Sequence, residues 1–419
     1  MPLPAPEWNV AEIQGLYGPF TFPERLLQKI WLQGEFDSAR AATEDGRPLQ
    51  VLHPGRWNLL GGPDFRDARF CLGGQELTGD VELHLHAGDW AAHAHPSDRH
   101  YDHVVLHVVL FPPSSGEQAL RADGTAIPTL VLLPLLLHDL EEYAAEDAVE
   151  TLASRTDWRV TAKLACRPAA EMRALLQARA VERWRQKRYF ARRRLERLGW
   201  GEACHYAALE ILGYRFNRAP MLKVAARVPL AAWAGGTVAV DALLAAETGA
   251  WSRQGLRPAN HPRVRLEQYA AWTHAQPSWP ECLLKLAAAL GPLPPEGRAW
   301  PTALVRRRLN LPALRDRFAR EIVAGAVSGT RLDNLICDGF LPLLTARTMV
   351  DHFPIWFHWF PGDLPPHLTG GLMALGIFDG SPQPACHGWA QGLLGWMLTQ
   401  EAESDAGFRK APATTTGTQ

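Results

Sequence analysis

Lysine is scarce in this 419-residue chain: of 43 basic residues only Lys29, Lys163, Lys187, Lys223, Lys285 and Lys410 are lysine, and residues 30 to 162 contain none. Cationic chemistry in the first third therefore falls to arginine or histidine, which differ from lysine in geometry and titration. Cysteine is also sparse. Cys71, Cys166, Cys204, Cys282, Cys337 and Cys386 lie far apart with no C-x-x-C pair, which argues against a zinc ribbon or a disulfide scaffold and fits a reducing cytoplasm. The longest apolar run, Ile127 to Leu137, is broken by Pro128 and Pro134 and falls short of the roughly 20 residues that span a bilayer. The opening residues, Met-Pro-Leu-Pro-Ala-Pro-Glu-Trp, show neither a basic start nor an apolar segment, so neither a secretory signal nor a membrane segment is expected. With 43 basic and 44 acidic residues the formal net charge is -1, and no global field announces a nucleic-acid or membrane partner.

What is present is an ordinary globular composition, 47% apolar and 21% charged, long enough for two or three domains. The first 150 residues mix two periodicities. Phe22 to Leu32 carries apolar side chains at helical spacing around Pro23, which suits a first turn. Pro48 to His53 reads as a strand closed by Pro54-Gly55, and Ala68 to Leu72 as one running into the tight-turn pair Gly73-Gly74. Val81, Leu83 and Leu85 alternate with Asp80, Glu82, His84 and His86, so one strand face is apolar and the other holds the ionisable groups. Residues 87 to 103 form a 17-residue connection, long enough for a parallel crossover. Val104 to Leu110 suits a buried strand, a further strand is expected from Ile127, and Leu135 to Val149 reads as a helix.

From about residue 168 helical patterns take over. Pro168 opens a helix to Leu198, stopped by Gly199-Trp200-Gly201, and helices follow at 202–211, 217–227, 238–249, 262–274, 279–290, 313–327 and 331–349. The expected class is α+β: an N-terminal αβββαβ unit with a mixed sheet over residues 1–160, then a mostly α-helical domain over 161–410. Pro- and Gly-rich linkers such as 291–301 separate the helices, and the low-complexity tail 411–419 is expected to be disordered.

Functional side chains concentrate between Gly61 and His107. Seven of the 16 histidines, His84, His86, His93, His95, His100, His103 and His107, fall within 24 residues. Asp64 precedes one strand of the proposed hairpin and Glu82 lies within its partner, so the two carboxylates can converge. Paired hard oxygens suit Mg²⁺ or Mn²⁺, and such an ion polarises a phosphodiester and acidifies the attacking water. His84, two residues beyond Glu82, can orient or deprotonate that water near neutral pH. The bland alternative is that Asp64 caps a turn and Glu82 faces solvent.

Leu26 to Trp31, His53-Pro54-Gly55, Gly62-Pro63-Asp64-Phe65, Gly79 to His86, Tyr101 to Val109 and Leu256 to Asn260 together resemble the bacterial domain-of-unknown-function family numbered 2851. The N-terminal portion also resembles, more distantly, the PD-(D/E)XK nuclease-like superfamily, whose αβββαβ core matches the element order above. In that likeness Asp64 takes the Pro-Asp position and Glu82-Leu83-His84 the (D/E)-X-K position. The resemblance implies metal-dependent hydrolysis of DNA or RNA with Asp64 and Glu82 as metal ligands and Glu24 as an accessory acid. His84 departs from the superfamily, which has lysine there.

Two further readings stay open. His84 and His86 share the strand face, and His93, His95 or His107 can complete a Zn²⁺ or Fe²⁺ site on an enzyme with another substrate. The helix from Pro168 carries ten basic groups between residues 173 and 198, among them Arg183, Lys187, Arg188, Arg192 and Arg194, against Glu182 and Glu196 alone. Such a face can bind phosphate backbones, even in a non-catalytic protein, or be balanced by acids on neighbouring helices. The aromatic set Phe353, Trp356, Phe357, Trp359 and Phe360 reads as packing between helices.

Overall fold

The computed structural model describes residues 10–15, 18–59, 61–93, 95–114, 117–154, 159–246, 251–252, 258–290, 301–364, 366–378 and 384–409. The chain divides into two units, Met1–Asp147 and Ala148–Gln419. The linker at 291–300 and the tail at 411–419 lie outside the described residues.

The first unit opens with an antiparallel hairpin of β1 (Val10–Gly15) and β2 (Gly18–Pro23). Helix α1 (Glu24–Gln33) follows, with Pro23 at its N-cap and Gly34 closing it in the left-handed conformation, the end expected of a C-cap glycine. Then come β3 (Leu49–His53), β4 (Arg56–Trp57), β5 (Phe65–Leu72) and β6 (Gln75–His84). A short helix α2 (Asp89–Ala92) and two 3₁₀ turns, His95–Ser97 and Arg99–Tyr101, lead to β7 (Val104–Val109) and β8 (Thr129–Val131). The sheet order is β3-β5-β6-β7-β8, with β4 also pairing β5. Strands β3, β5 and β6 are antiparallel, whereas β6–β7 and β7–β8 are parallel. The sheet is thus mixed, and residues 87–103 make the parallel crossover that their length allowed. The β1–β2 hairpin is an addition that the sequence reading lacks, because Gly15, Gly18 and Pro19 dilute its strand signal.

Two local features set the register. Gly73 and Gly74 adopt φ values of 57° and 88°, the pair of positive angles that a two-residue hairpin turn requires, and they oppose Leu72 to Gln75. At Gly79 a Cβ would stand 2.7 Å from both Val105 methyls and 2.8 Å from the His103 carbonyl oxygen. Only a glycine lets β6 approach β7 so closely.

One face of the sheet buries Leu26, Leu27, Ile30 and Trp31 of α1 with Phe65, Phe70, Val81, Leu83, Leu106, Val108 and Leu130. Complete burial of each such side chain contributes roughly 1.5–3 kcal/mol. The opposite face of β6 decides against the bland alternative for Glu82. Glu82 and His84 are 5% and 0% exposed, so the polar face is not turned to solvent. Trp90, His95 and Tyr101 from the crossover pack over it.

The second unit is helical, as the patterning from residue 168 implies; helix α3 (Leu140–Ser154) spans the division. Beyond it are α4 (Arg159–Ala165) and a long run, α5 (Ala169–Arg227), whose backbone departs from helical angles at Gly199, Tyr214 and Asn217. The stop expected at Gly199 is therefore a break within a longer run. Further helices include Pro262–Ala275, Trp279–Ala288, Leu341–Thr348, Phe353–His358 and His387–Arg409. Phe353, Trp356, Phe357 and Trp359 are all buried, in line with a packing role. No described helix is long and apolar enough to cross a membrane.

Candidate metal centre

Three elements of the first unit deliver carboxylates to one place. Glu24 sits in the first turn of α1, Asp64 at the mouth of β5, and Glu82 near the end of β6. The Asp64 backbone N–H donates to Glu82 Oε2 at 2.9 Å, and the Leu83 N–H donates to Asp64 Oδ2 at 3.0 Å. Gln28 Nε2 donates to Asp64 Oδ1 at 2.7 Å, and Gln28 Oε1 in turn accepts from the Trp57 indole at 3.0 Å. Helix α1, strand β4 and the β5–β6 hairpin are thereby tied together around Asp64. Glu24 is buried, and its Oε2 meets no hydrogen-bond donor among the described residues.

Burial makes the charged forms of these acids costly, and they repel one another. The Glu24 carboxyl is pushed up to about 9, by burial first and then by Asp64, Glu82 and Asp89. Asp64 is raised well above the usual carboxylate range by burial and by Glu82, against hydrogen bonds from Leu83 and Gln28. Burial raises Glu82 to about 8, opposed by the Asp64 N–H. The neighbouring charges that raise Glu24 and Asp64 are themselves carboxylates. A buried acidic trio with an unpartnered oxygen fits a divalent cation, whose charge reverses this penalty.

Histidines close the other side. His84 Nε2 lies 3.1 Å from His93 Nδ1 and 3.3 Å from His95 Nε2. Glu82 Oε1 is 3.6 Å from His84 Nε2 and 3.4 Å from His95 Nε2. Behind them His84 Nδ1 is 2.9 Å from His107 Nε2, while the Tyr101 ring stacks on His95 at 3.8 Å between centroids. Burial and the neighbouring imidazoles hold His84 well below the usual histidine range; burial holds His95 at about 4 and, with His95 beside it, His107 at about 3. Neutral imidazoles are the metal-ligating form.

Glu24, Asp64, Glu82, His84, His93 and His95 are thus gathered in one region. His86 is not among them. Strand β6 ends at His84, and His86 lies beyond it, exposed and stacked on Phe111 at 4.9 Å. The expectation that His84 and His86 share a strand face is corrected accordingly. His100 is exposed and held by Asp98 at 2.7 Å, and His103 is exposed. Gln28, Trp57 and Tyr101 brace the centre without any sequence signal beyond their proximity to it, because their roles follow from long-range packing.

Of the ten basic residues at 173–197, Arg185, Arg192, Arg193 and Arg197 are exposed and the other six half-buried. Lys187 pairs with Asp338 at 2.8 Å, Arg192 with Glu196 at 2.9 Å and Arg194 with Glu210 at 2.7 Å. Arg183 Nε donates to Gln391 at 3.3 Å, and Arg188 Nε is buried without a hydrogen-bond partner. Glu196 and Glu210 belong to α5 itself and Asp338 to a separate element, so part of this basic face is ion-paired within the fold.

No curated protein and no solved structure matches the chain. One family model does, over residues 24–249, a stretch that takes in every carboxylate and imidazole of the centre and the whole of α5. Since that match covers more than half of its length, the chain belongs to the family described as Protein of unknown function (DUF2851).

Proposed function

We propose that the first unit is a metal-dependent phosphodiesterase acting on nucleic acid, DNA or RNA. The supporting observation is the meeting of Asp64 and Glu82 across the β5–β6 hairpin, with Glu24 brought alongside by α1. Those are the positions that a nuclease-like αβββαβ core assigns to its acids. Asp64 and Glu82 would hold Mg²⁺ or Mn²⁺, which when bound polarises the phosphodiester and acidifies water. Gln28 fixes the Asp64 carboxylate against α1, so the acid keeps its orientation while charge develops on the substrate. Glu24 Oε2 is unpartnered, and its carboxyl, protonated at neutral pH through burial, can accept a proton from water only when a neighbouring cation would favour its ionised form. His84 stands where lysine is usual; its neutral imidazole can accept a proton but adds no fixed positive charge.

The paired basic residues Lys187, Arg192 and Arg194 of α5 add little to this reading, since ion-paired side chains must give up a partner before they meet phosphate. The experiment is cleavage of single- and double-stranded DNA and RNA by the full chain with Mg²⁺ or Mn²⁺, with and without chelator. Chelator-sensitive cleavage is expected. Intact substrates under all these conditions would contradict the proposal.

A further inference from the structure

Four donor atoms near the carboxylates play no part in the Asp64–Glu82 pairing. They are His84 Nε2, His93 Nδ1, His95 Nε2 and Glu82 Oε1, and their measured separations are 3.1, 3.3, 3.4 and 3.6 Å. A tetrahedral ion with bonds of about 2.0–2.2 Å to nitrogen and oxygen keeps its ligands about 3.3–3.5 Å apart. The three imidazole nitrogens also lie within 4.8 Å of one another. Hydrogen bonding alone does not account for this arrangement. An imidazole nitrogen has a single in-plane direction, so His84 Nε2 cannot bond fully to both His93 and His95. One cation among the three imidazoles satisfies them all.

We propose that His84, His93 and His95 seat one zinc-class transition-metal ion, Zn²⁺ or Fe²⁺, with Glu82 Oε1 beside two of them, in place of a hard ion bound by carboxylates alone. The inference rests on the phosphodiesterase reading for what the ion does, while the seat itself is read from the donor atoms. Imidazole donors favour Zn²⁺ or Fe²⁺ over Mg²⁺. The surroundings suit a metal-ligating histidine: His84 Nδ1 lies 2.9 Å from His107 Nε2, and the tautomer in which Nδ1–H donates leaves the Nε2 lone pair facing the cluster. Tyr101 and Trp90 hold the His95 ring from two sides. His93 is the exposed member, so solvent or a substrate oxygen approaches from its side. His86 takes no part.

The test uses the full chain stripped with chelator and dialysed, then titrated with Zn²⁺, and separately with Co²⁺ as a visible-absorption probe. One ion per chain is expected, with tetrahedral-type cobalt absorption. His93→Ala, at the exposed rim, and His95→Ala should each weaken uptake at least about tenfold, whereas Asp64→Ala should bind zinc as the parent does. Circular dichroism melting establishes that each variant is folded. A parent protein that takes up neither ion, equal uptake by folded His93→Ala and His95→Ala, or loss of zinc in folded Asp64→Ala would overturn the proposal. The two readings fail separately. Mg²⁺-supported cleavage without zinc uptake sinks the histidine seat alone, and histidine-dependent zinc uptake without cleavage under any metal sinks the phosphodiesterase alone.

Discussion

Asp64 and Glu82 hold each other's strands: the Asp64 N–H donates to Glu82 Oε2 at 2.9 Å while Asp64 Oδ2 accepts the N–H of Leu83, the residue after Glu82, at 3.0 Å. Each carboxylate therefore caps the backbone that presents the other. The clasp locks the register of the two acids yet brings like charges together, a cost to the fold that a bound cation would offset.

Glu24→Gln should stabilise the chelator-treated protein. In the fold Glu24 titrates at about 9 against an ordinary 4.5, so the folded state binds the proton more tightly than the unfolded one. Its contribution is undiminished below pH 4.5 and is lost as pH rises toward 9. Gln removes that loss, so the variant's advantage in thermal melting should be absent near pH 4 and grow to roughly 1–3 kcal/mol at pH 7–8. An equal or lower melting temperature than the parent at pH 8 would contradict the burial of a repelled acid.

The helical unit should be acid-labile. His205 is fully buried, with Nδ1 2.6 Å from the Tyr269 hydroxyl and Nε2 2.9 Å from the Val228 carbonyl, and burial holds it at about 4. The unfolded state thus binds the proton more tightly, so stability is complete above pH 6.5 and falls as pH drops toward 4, by about 1.4 kcal/mol per pH unit in the middle of that window. His205→Gln should flatten this dependence in denaturant titrations between pH 4 and 7. An unchanged slope would show that His205 is not its source.

Gly79→Ala should weaken the first unit. The added methyl meets the His103 carbonyl oxygen at 2.8 Å and both Val105 methyls at 2.7 Å, and backbone cannot give way as a side-chain tip does. A loss of about 1–3 kcal/mol in urea unfolding is expected. Wild-type stability would mean that β6 and β7 can separate freely.

Arg194→Ala distinguishes structural from nucleic-acid roles on α5. Its pair with Glu210 is nearly buried, at 11% and 7% side-chain exposure, and Arg218 also contacts Glu210. Truncation should cost roughly 1–3 kcal/mol, less than for a sole partner. The salt dependence of any DNA or RNA binding should be unchanged. A shallower salt slope with intact stability would instead assign Arg194 to phosphate.

Much of the sheet was legible because its signals are local. Gly73-Gly74 marks the β5–β6 turn, and the 87–103 connection has the length of a parallel crossover. Glu82 and His84 fall on one strand face by alternation alone. What alternation cannot give is what covers that face: Trp90, His95 and Tyr101 come from a crossover with almost no helical pattern, and they bury it. His86 was misplaced for a related reason, since a strand's last residue is set by its partner's hydrogen bonds and not by its own spacing. Lys187 and Arg194 of α5 look free in sequence because Asp338 and Glu210 reach them only through the fold.

Glu82 belongs to both halves of the centre, with Oε2 toward Asp64 and Oε1 toward the imidazoles. The most direct measurement is therefore metal-supported cleavage of DNA and RNA by folded Glu82→Ala beside the parent, with Mg²⁺, Mn²⁺ and Zn²⁺ each supplied. The account predicts cleavage by the parent and a loss of at least about 100-fold in the variant, as removal of several kcal/mol of metal-derived stabilisation requires. Equal cleavage by the two proteins, or none by the parent with any ion, would contradict it.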